Sequence, residues 1–336
     1  MMSGHGIQNE IGDSLKGLGI PAGEVRRVET ISFRPGHRLY RIRTHRCSYV
    51  LKSFIRNTPG NEIRGYSLLR QLGVPTISVI AKTETDLLLE DLTCSDTWRL
   101  ATESDVRERS VGEAVARWYW HFHQKGSSLA ASGPGLPPFL KREEDLLDPA
   151  TIESAGRALG LLRMDSWRLA ADHIELLKLG LAGFGTTLNY NDFHWTNLAL
   201  SRKSGPGMEA IVFDYDLLGI GTRYSDFRNV VGSLSGEAVT GFREVYGSVD
   251  PGEKTLDRPL ATLYALVSAT RMPTFPKWAE ESRQTVLNGS FRTDLLQAVD
   301  LVIDGRKRGL TSGLVGARQA SGSTSQPNPG PSDGLV

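Results

Sequence analysis

The strand-like and helix-like parts of this chain are segregated, and the change falls at Asp91. Before it, VRRVETISF, LYRIRT and SYVLKSFI alternate or cluster β-branched and aromatic residues, with RPGH as a turn between the first two. PGNEIRGYSLLRQLG then moves to helical spacing, with Ile63, Tyr66, Leu69 and Leu72 recurring and Gly73-Val74-Pro75 as the stop. TISVIAKTETDLLLEDL reads as two further strands joined by a polar turn. Beyond Asp91, SVGEAVARWYWHFHQKG, MDSWRLAADHIELLKLGLAG and most of the stretch from Tyr224 to about Arg308 are helical. A run of strands followed by a run of helices predicts an α+β fold. Five antiparallel strands with one helix form a small lobe over 24–91, and a mainly helical lobe spans 92–310.

Composition narrows the class of protein. Of the 336 residues 39% are hydrophobic, too many for a disordered chain and enough for a large core. A net charge of +1 supplies no global field for nucleic acid or a membrane, and neither is expected as a partner. Two cysteines, Cys47 and Cys94, cannot build a disulfide framework or a four-thiolate zinc site. No apolar run approaches the ~18 residues of a membrane span, and MMSGHGIQNEIGDS lacks the features of a secretory signal. A soluble, cytoplasmic protein is expected, with 1–23 as an N-terminal extension. Gly-, Ser- and Pro-rich 311–336 is expected to be disordered. Residues 1–90 are net positive and 91–310 net negative. That division suits an anionic ligand on one side and a cationic one on the other.

The stretch Leu188 to Asp216 carries the chemistry. TTLNYNDFHWTNLALS and EAIVFDYDLLGIG interrupt the helices with two short apolar strands, and Asp192, Asn197, Asp214 and Asp216 stand at their ends. Carboxylates at the tips of buried strands are costly unless they hold a cation or move a proton. An Asp, an Asn five residues on, and then an Asp closing an apolar strand is the arrangement of a phosphoryl-transfer site.

On these motifs the chain resembles the aminoglycoside phosphotransferases and related small-molecule kinases, which share a two-lobed, protein-kinase-like fold. The family's H-G-D-x-H-x-x-N loop reads Tyr190-Asn191-Asp192-Phe193-His194-Trp195-Thr196-Asn197 here; Asp214-Tyr215-Asp216 and Asp226 follow. Lys52 in YVLKSF, Glu62 at the start of a helix and LLLEDL as a hinge complete the order over roughly 24–310. The resemblance implies ATP and Mg²⁺ as cofactors and a small-molecule hydroxyl as acceptor, which the acidic C-terminal lobe would suit if it is cationic. It makes Asp192 the catalytic base and Asn197 and Asp214 the metal ligands. Lys52, held by Glu62, meets the α- and β-phosphates, and backbone at Glu90, Asp91 and Leu92 binds the adenine. Asp216 is either a third metal-site acid or a partner to one. Tyr190, His194 and Asp226 are structural supports of the loop.

Three departures from the family pattern matter. Tyr190 stands where His is usual, Asn191 where Gly is usual, and the phosphate-covering turn Ser32–His37 has a single Gly. Arg34 or Arg38 is the expected substitute for its missing backbone groups. Choline and ethanolamine kinases are the nearest competing assignment, through Asp226-Phe227-Arg228-Asn229. Tyr190 and the Gly-poor turn would also suit a nucleotide-binding scaffold without turnover. An interaction protein without a nucleotide site is the remaining class. His121, His123, Trp118 and Trp120 are assigned to core packing.

Overall fold

In the computed structural model the described residues are 11–34, 36–55, 60–131 and 135–307. The expected disorder of 311–336 lies outside them. A short helix, α1 (Gly12–Gly17), precedes strands β1 (Val25–Arg34), β2 (His37–Thr44) and β3 (Ser48–Phe54). Helix α2 (Asn61–Leu72) follows, then β4 (Val79–Lys82) and β5 (Asp86–Glu90). The five strands pair antiparallel in the order β1-β2-β3-β5-β4. Helix α2 stops where the sequence places its stop, because Gly73 takes the left-handed conformation at φ 70°.

Side chains alternate between the two faces of this sheet. Tyr40, Ile42, Leu51 and Leu88 point outward and pack against Ile11, Leu15, Leu18 and Ile20. Phe54, Leu87 and Leu89 point the other way, into a core shared with Ile63, Tyr66 and Leu69 of α2. Lys52, between Leu51 and Phe54 in β3 and opposite Leu39 and Leu87, lies on this second face. That parity turns the one ammonium of β3 inward.

After β5 a three-residue strand β6 (Trp98–Leu100) leads to the long helix α3 (Arg109–Ala131), then α4 (Pro149–Leu159) and α5 (Asp165–Leu181). The region expected to hold two strands holds four: β7 (Thr187–Asn189), β8 (Leu198–Ser201), β9 (Ala210–Val212) and β10 (Gly219–Gly221). They form two small sheets, β10-β7 and β6-β8-β9. Helices α6 (Arg223–Ser233), α7 (Glu237–Tyr246), α8 (Pro251–Ala269), α9 (Glu280–Leu287) and α10 (Ser290–Lys307) complete the chain. Helix α4 went unread in the sequence, although Asp148 caps its start through Thr151 and Gly160 closes it at φ 71°. Among the described residues no helix is long and apolar enough to cross a membrane.

Helices α3 and α7 approach through glycine. A Cβ on Gly112 would stand 1.9 Å from the Ala238 carbonyl oxygen, and one on Gly241 would stand 2.6 Å from that of Arg109. Neither backbone can yield without parting the helices. Gly112→Ala is therefore expected to cost about 1–3 kcal/mol or more of stability, read from urea unfolding. A variant as stable as wild type would show that the helix pair slides freely.

Candidate active site

Strand β3 and helix α2 bring the first pair together. The Lys52 ammonium, buried, pairs with the Glu62 carboxylate on the first turn of α2 and lies 2.9 Å from Asp214 Oδ1. The 162 residues separating Lys52 and Asp214 in sequence are thus closed by a direct ion pair. Carboxylate oxygens of Glu62, Asp214 and Asp216 all lie within 4.8 Å of one another. Asp214 itself is held in the left-handed region at φ 71°. The Tyr190 hydroxyl donates to the carbonyl of Phe213 just before it. The Tyr190 side chain therefore ties the loop to the strand that leads to Asp214.

The loop between β7 and β8 presents the second pair. Asn197 Nδ2 donates to Asp192 Oδ2 at 3.0 Å and to the Asp192 carbonyl at 3.3 Å. Asn197 returns its own carbonyl to the Phe213 N–H at 3.0 Å, which laces this loop to β9. Asn191 adopts φ 63°, a conformation that glycine takes freely and asparagine tolerates, so its exchange for Gly leaves the path of the chain open.

Beneath the loop lies Asp226, with no solvent exposure. Its Oδ2 accepts the Tyr190 N–H and its Oδ1 the Asn191 N–H, both at 2.9 Å. His123 Nε2 lies 3.0 Å from the same Oδ2, and His123 Nδ1 lies 2.7 Å from the Tyr246 hydroxyl. His123 is thus buried as expected, but as part of a polar chain and not as apolar packing. Trp118 packs in the core, whereas Trp120 is 51% exposed.

Other expected residues stand apart from this centre. His194 is exposed; its Nδ1 bonds Thr196 and caps a short turn. Where the hinge is expected, the Glu90 N–H bonds the Ser78 carbonyl. The buried Asp91 carboxylate accepts from Arg41 Nε at 2.8 Å, Ser48 Oγ at 2.6 Å and Thr93 Oγ1 at 2.7 Å. That side chain braces the hinge against β2 and β3. Leu92 begins a 3₁₀ turn, whose first N–H has no partner within the turn. Arg38 pairs with Phe33 on the outer face of the sheet, its guanidinium 4.4 Å from the ring centroid, so of the two candidate arginines only Arg34 shares the face of Lys52. Sequence reading missed His37, which the same register puts on that inner face, and the acids Glu143, Glu144 and Asp257.

Three carboxylates facing one ammonium leave surplus negative charge. Burial works against the Lys52 ammonium, but Glu62 and Asp214 outweigh it and raise its pKa. Burial raises the Glu62 carboxyl while the adjacent Lys52 ammonium pulls it back down. Burial, then the Asp214 charge, pushes Asp192 to about 6. Burial also lifts Glu143 and Glu253, each to about 7. The folded chain therefore binds more protons than the unfolded chain between roughly pH 5 and 7, and stability should fall as pH rises through that window. Thermal melts of the metal-free protein at its two ends would show the lower midpoint at the alkaline end; the opposite order would contradict the burial of these acids.

Neither a protein-family model nor a curated protein sequence matches the chain. Solved structures do. A choline/ethanolamine kinase family protein from Mesorhizobium loti aligns at 12% identity and TM-score 0.58, over 87% of this chain and 99% of that one. A choline kinase from Streptococcus pneumoniae aligns at 13% identity and TM-score 0.55, over 85% and 97%. A spectinomycin phosphotransferase, solved with ADP and spectinomycin, aligns at 12% identity and TM-score 0.52, over 86% and 98%. These neighbours fall in the two groups that the motifs of this sequence resemble. The chain has the two-lobed, protein-kinase-like α+β fold of these kinases and phosphotransferases.

Proposed function

We propose that this protein is an ATP-dependent phosphotransferase that moves the γ-phosphoryl group to a hydroxyl of a small, amine-bearing acceptor. The observation that carries this reading is the Lys52 ammonium paired with Glu62 and 2.9 Å from Asp214, within electrostatic reach of an Asp192 oriented by Asn197. In this reading residues 24–91 hold the nucleotide, and residues 92–310 provide the catalytic loop and the acceptor site. Lys52 meets the α- and β-phosphates, and its ion pair stops the ammonium from turning to water. The hinge offers the Leu92 N–H to the adenine. Asp192 takes the acceptor's proton, and a pKa near 6 leaves it ionised at neutral pH yet basic enough to do so.

The donor set fits Mg²⁺, a hard cation that takes carboxylate and amide oxygens. Asp214 and the Asn197 side-chain carbonyl would hold it, with Asp216 and Glu62 close enough to contribute or to steady them. When bound, the ion would supply positive charge that offsets the charge of the nucleotide phosphates. Asn197 suits both tasks, since its amide nitrogen is already given to Asp192.

The amine-bearing acceptor rests on the acids that sequence reading missed. Glu143, Glu144 and Asp257 line a cavity of about 30 Å³ together with Asn189, Ser225 and Tyr264; Asp257 already meets Arg228 Nε at 2.7 Å and Glu144 meets Arg142 at 3.5 Å, which leaves Glu143 as the acid without an ion pair among the described residues. That is room for an ammonium head and not for a whole acceptor. Ser225 Oγ in turn bonds Asn191 Oδ1, next to Asp192.

A coupled ADP-release screen over aminoglycosides, spectinomycin, choline, ethanolamine, aminopropanol and neutral sugars tests the proposal. Turnover is expected with amine-bearing alcohols. Turnover with neutral sugars alone would remove the amine, and Mg-ATP binding without any turnover would favour a scaffold. No thermal shift at millimolar Mg-ATP would remove the nucleotide site itself.

A further inference from the structure

Phosphate-binding turns in nucleotide sites commonly work through backbone N–H groups that glycine lets approach the anion. The turn joining β1 and β2 contains one glycine, Gly36, which leaves a place for a side chain to supply part of that contact. Strand register decides which side chains are eligible. Arg34 pairs with His37, and Phe33 pairs with Arg38. His37 also pairs with Phe54, and Leu39 pairs with Lys52. Directly opposed residues of antiparallel strands share a face. His37 and Arg34 therefore lie on the face of Lys52, whereas Arg38 and Phe33 lie on the outer one.

Ring contacts agree with this parity. The His37 and Phe54 ring centroids are 6.3 Å apart, and the Lys52 Nζ stands 5.5 Å from the Phe54 ring. Imidazole and ammonium thus both approach one phenyl ring, and the same ammonium meets Asp214. Neither His37 ring nitrogen has a hydrogen-bond partner among the described residues. A half-buried N–H donor on the face of Lys52 is thus left without an acceptor among the described residues.

We propose that His37 donates a hydrogen bond from its imidazole to a phosphate oxygen of the bound nucleotide, replacing a backbone contact that the glycine-poor turn lacks. This rests on the nucleotide reading above. Burial, then the Lys52 charge, holds the imidazole below its ordinary pKa, with Arg34 adding to this and Asp214 and Asp216 opposing it. The ring is therefore neutral at pH 7.5 and keeps one N–H to give.

Isothermal titration of the full chain with Mg-ATP, Mg-ADP and adenosine tests the assignment. His37→Leu is expected to weaken Mg-ATP about tenfold, the effect of one lost charge-assisted hydrogen bond, while adenosine changes less than about twofold. His37→Gln keeps a donor and should stay within about threefold of wild type for Mg-ATP; His37→Met, neutral and of similar length but without the donor, should not. That near-isosteric pair carries the test if leucine unfolds the turn. Arg38→Leu, which alters the same turn on its outer face, should leave Mg-ATP affinity within about twofold. Unchanged Mg-ATP affinity in His37→Leu, or an equal loss for adenosine, overturns the His37 assignment alone. A wild-type protein that binds no Mg-ATP overturns the nucleotide reading and this assignment with it.

Discussion

An Asp192→Asn variant is expected to bind Mg-ATP as wild type does and to lose about 10²–10⁴-fold in kcat. The substitution is nearly isosteric. Asp192 Oδ2 is occupied by Asn197 Nδ2 at 3.0 Å, and an asparagine oxygen can accept that same bond. What disappears is the second carboxylate oxygen's capacity to take a proton from an acceptor hydroxyl. Nucleotide affinity should survive, because Lys52, Glu62 and Asp214 make their contacts without Asp192. Lowering pH should imitate the variant. Below the carboxyl's pKa of about 6 the base is protonated, and wild-type kcat/KM should fall with each further pH unit. Coupled ADP release and nucleotide titration measure the two halves of this prediction. An Asp192→Asn enzyme with wild-type kcat would take Asp192 out of the chemistry.

The sequence displays the parts of this site more clearly than their supports. Strand alternation and the helix spacing around Ile63, Tyr66 and Leu69 are strong local signals, and the structure forms the same five strands and helix α2. The spacing of Asp192, Asn197 and Asp214 is legible because each sits where an apolar strand ends. The loop's substitutions were harder. Nothing local shows that a tyrosine hydroxyl at 190 reaches the Phe213 carbonyl, 23 residues away. Asn191 was the more tractable case, since asparagine is one of the few residues that tolerates φ 63°. Arg34 could not be told from Arg38 for want of register: a bulge between Thr30 and Ser32 in β1 shifts the pairing by one before the turn. Counted without it, the face of each side chain in β1 beyond the bulge comes out wrong. Strands of three residues, such as β6, carry no periodicity to read. Helix α4 did carry legible signals, with Asp148-Pro149 at its start and Gly160 at its end.

Asp226→Ala is expected to cost about 3–5 kcal/mol of folding stability, the range for removing one partner from a buried charged network. Asp226 has no exposure, and its carboxylate accepts from the Tyr190 and Asn191 amides while facing His123. Alanine would leave two backbone N–H groups and an imidazole nitrogen without their partner in the interior. Each orphaned group costs about 1–3 kcal/mol, reduced wherever water or a small shift can reach it. The amides belong to the residues directly before Asp192, and one of them is Asn191 at φ 63°, a conformation that needs support from its surroundings. Asp226→Asn should cost less, since one oxygen remains to accept, but its amide must face one of the donors. Urea unfolding gives the stability change. A loss below about 1 kcal/mol for Asp226→Ala would mean that water replaces the carboxylate and relieves the desolvation penalty. Kinetics separate loop position from global stability. If Asp226 holds the loop, kcat should fall in a variant still fully folded at the assay temperature, while Mg-ATP affinity, which the proposal assigns to Lys52 and its partners, changes little.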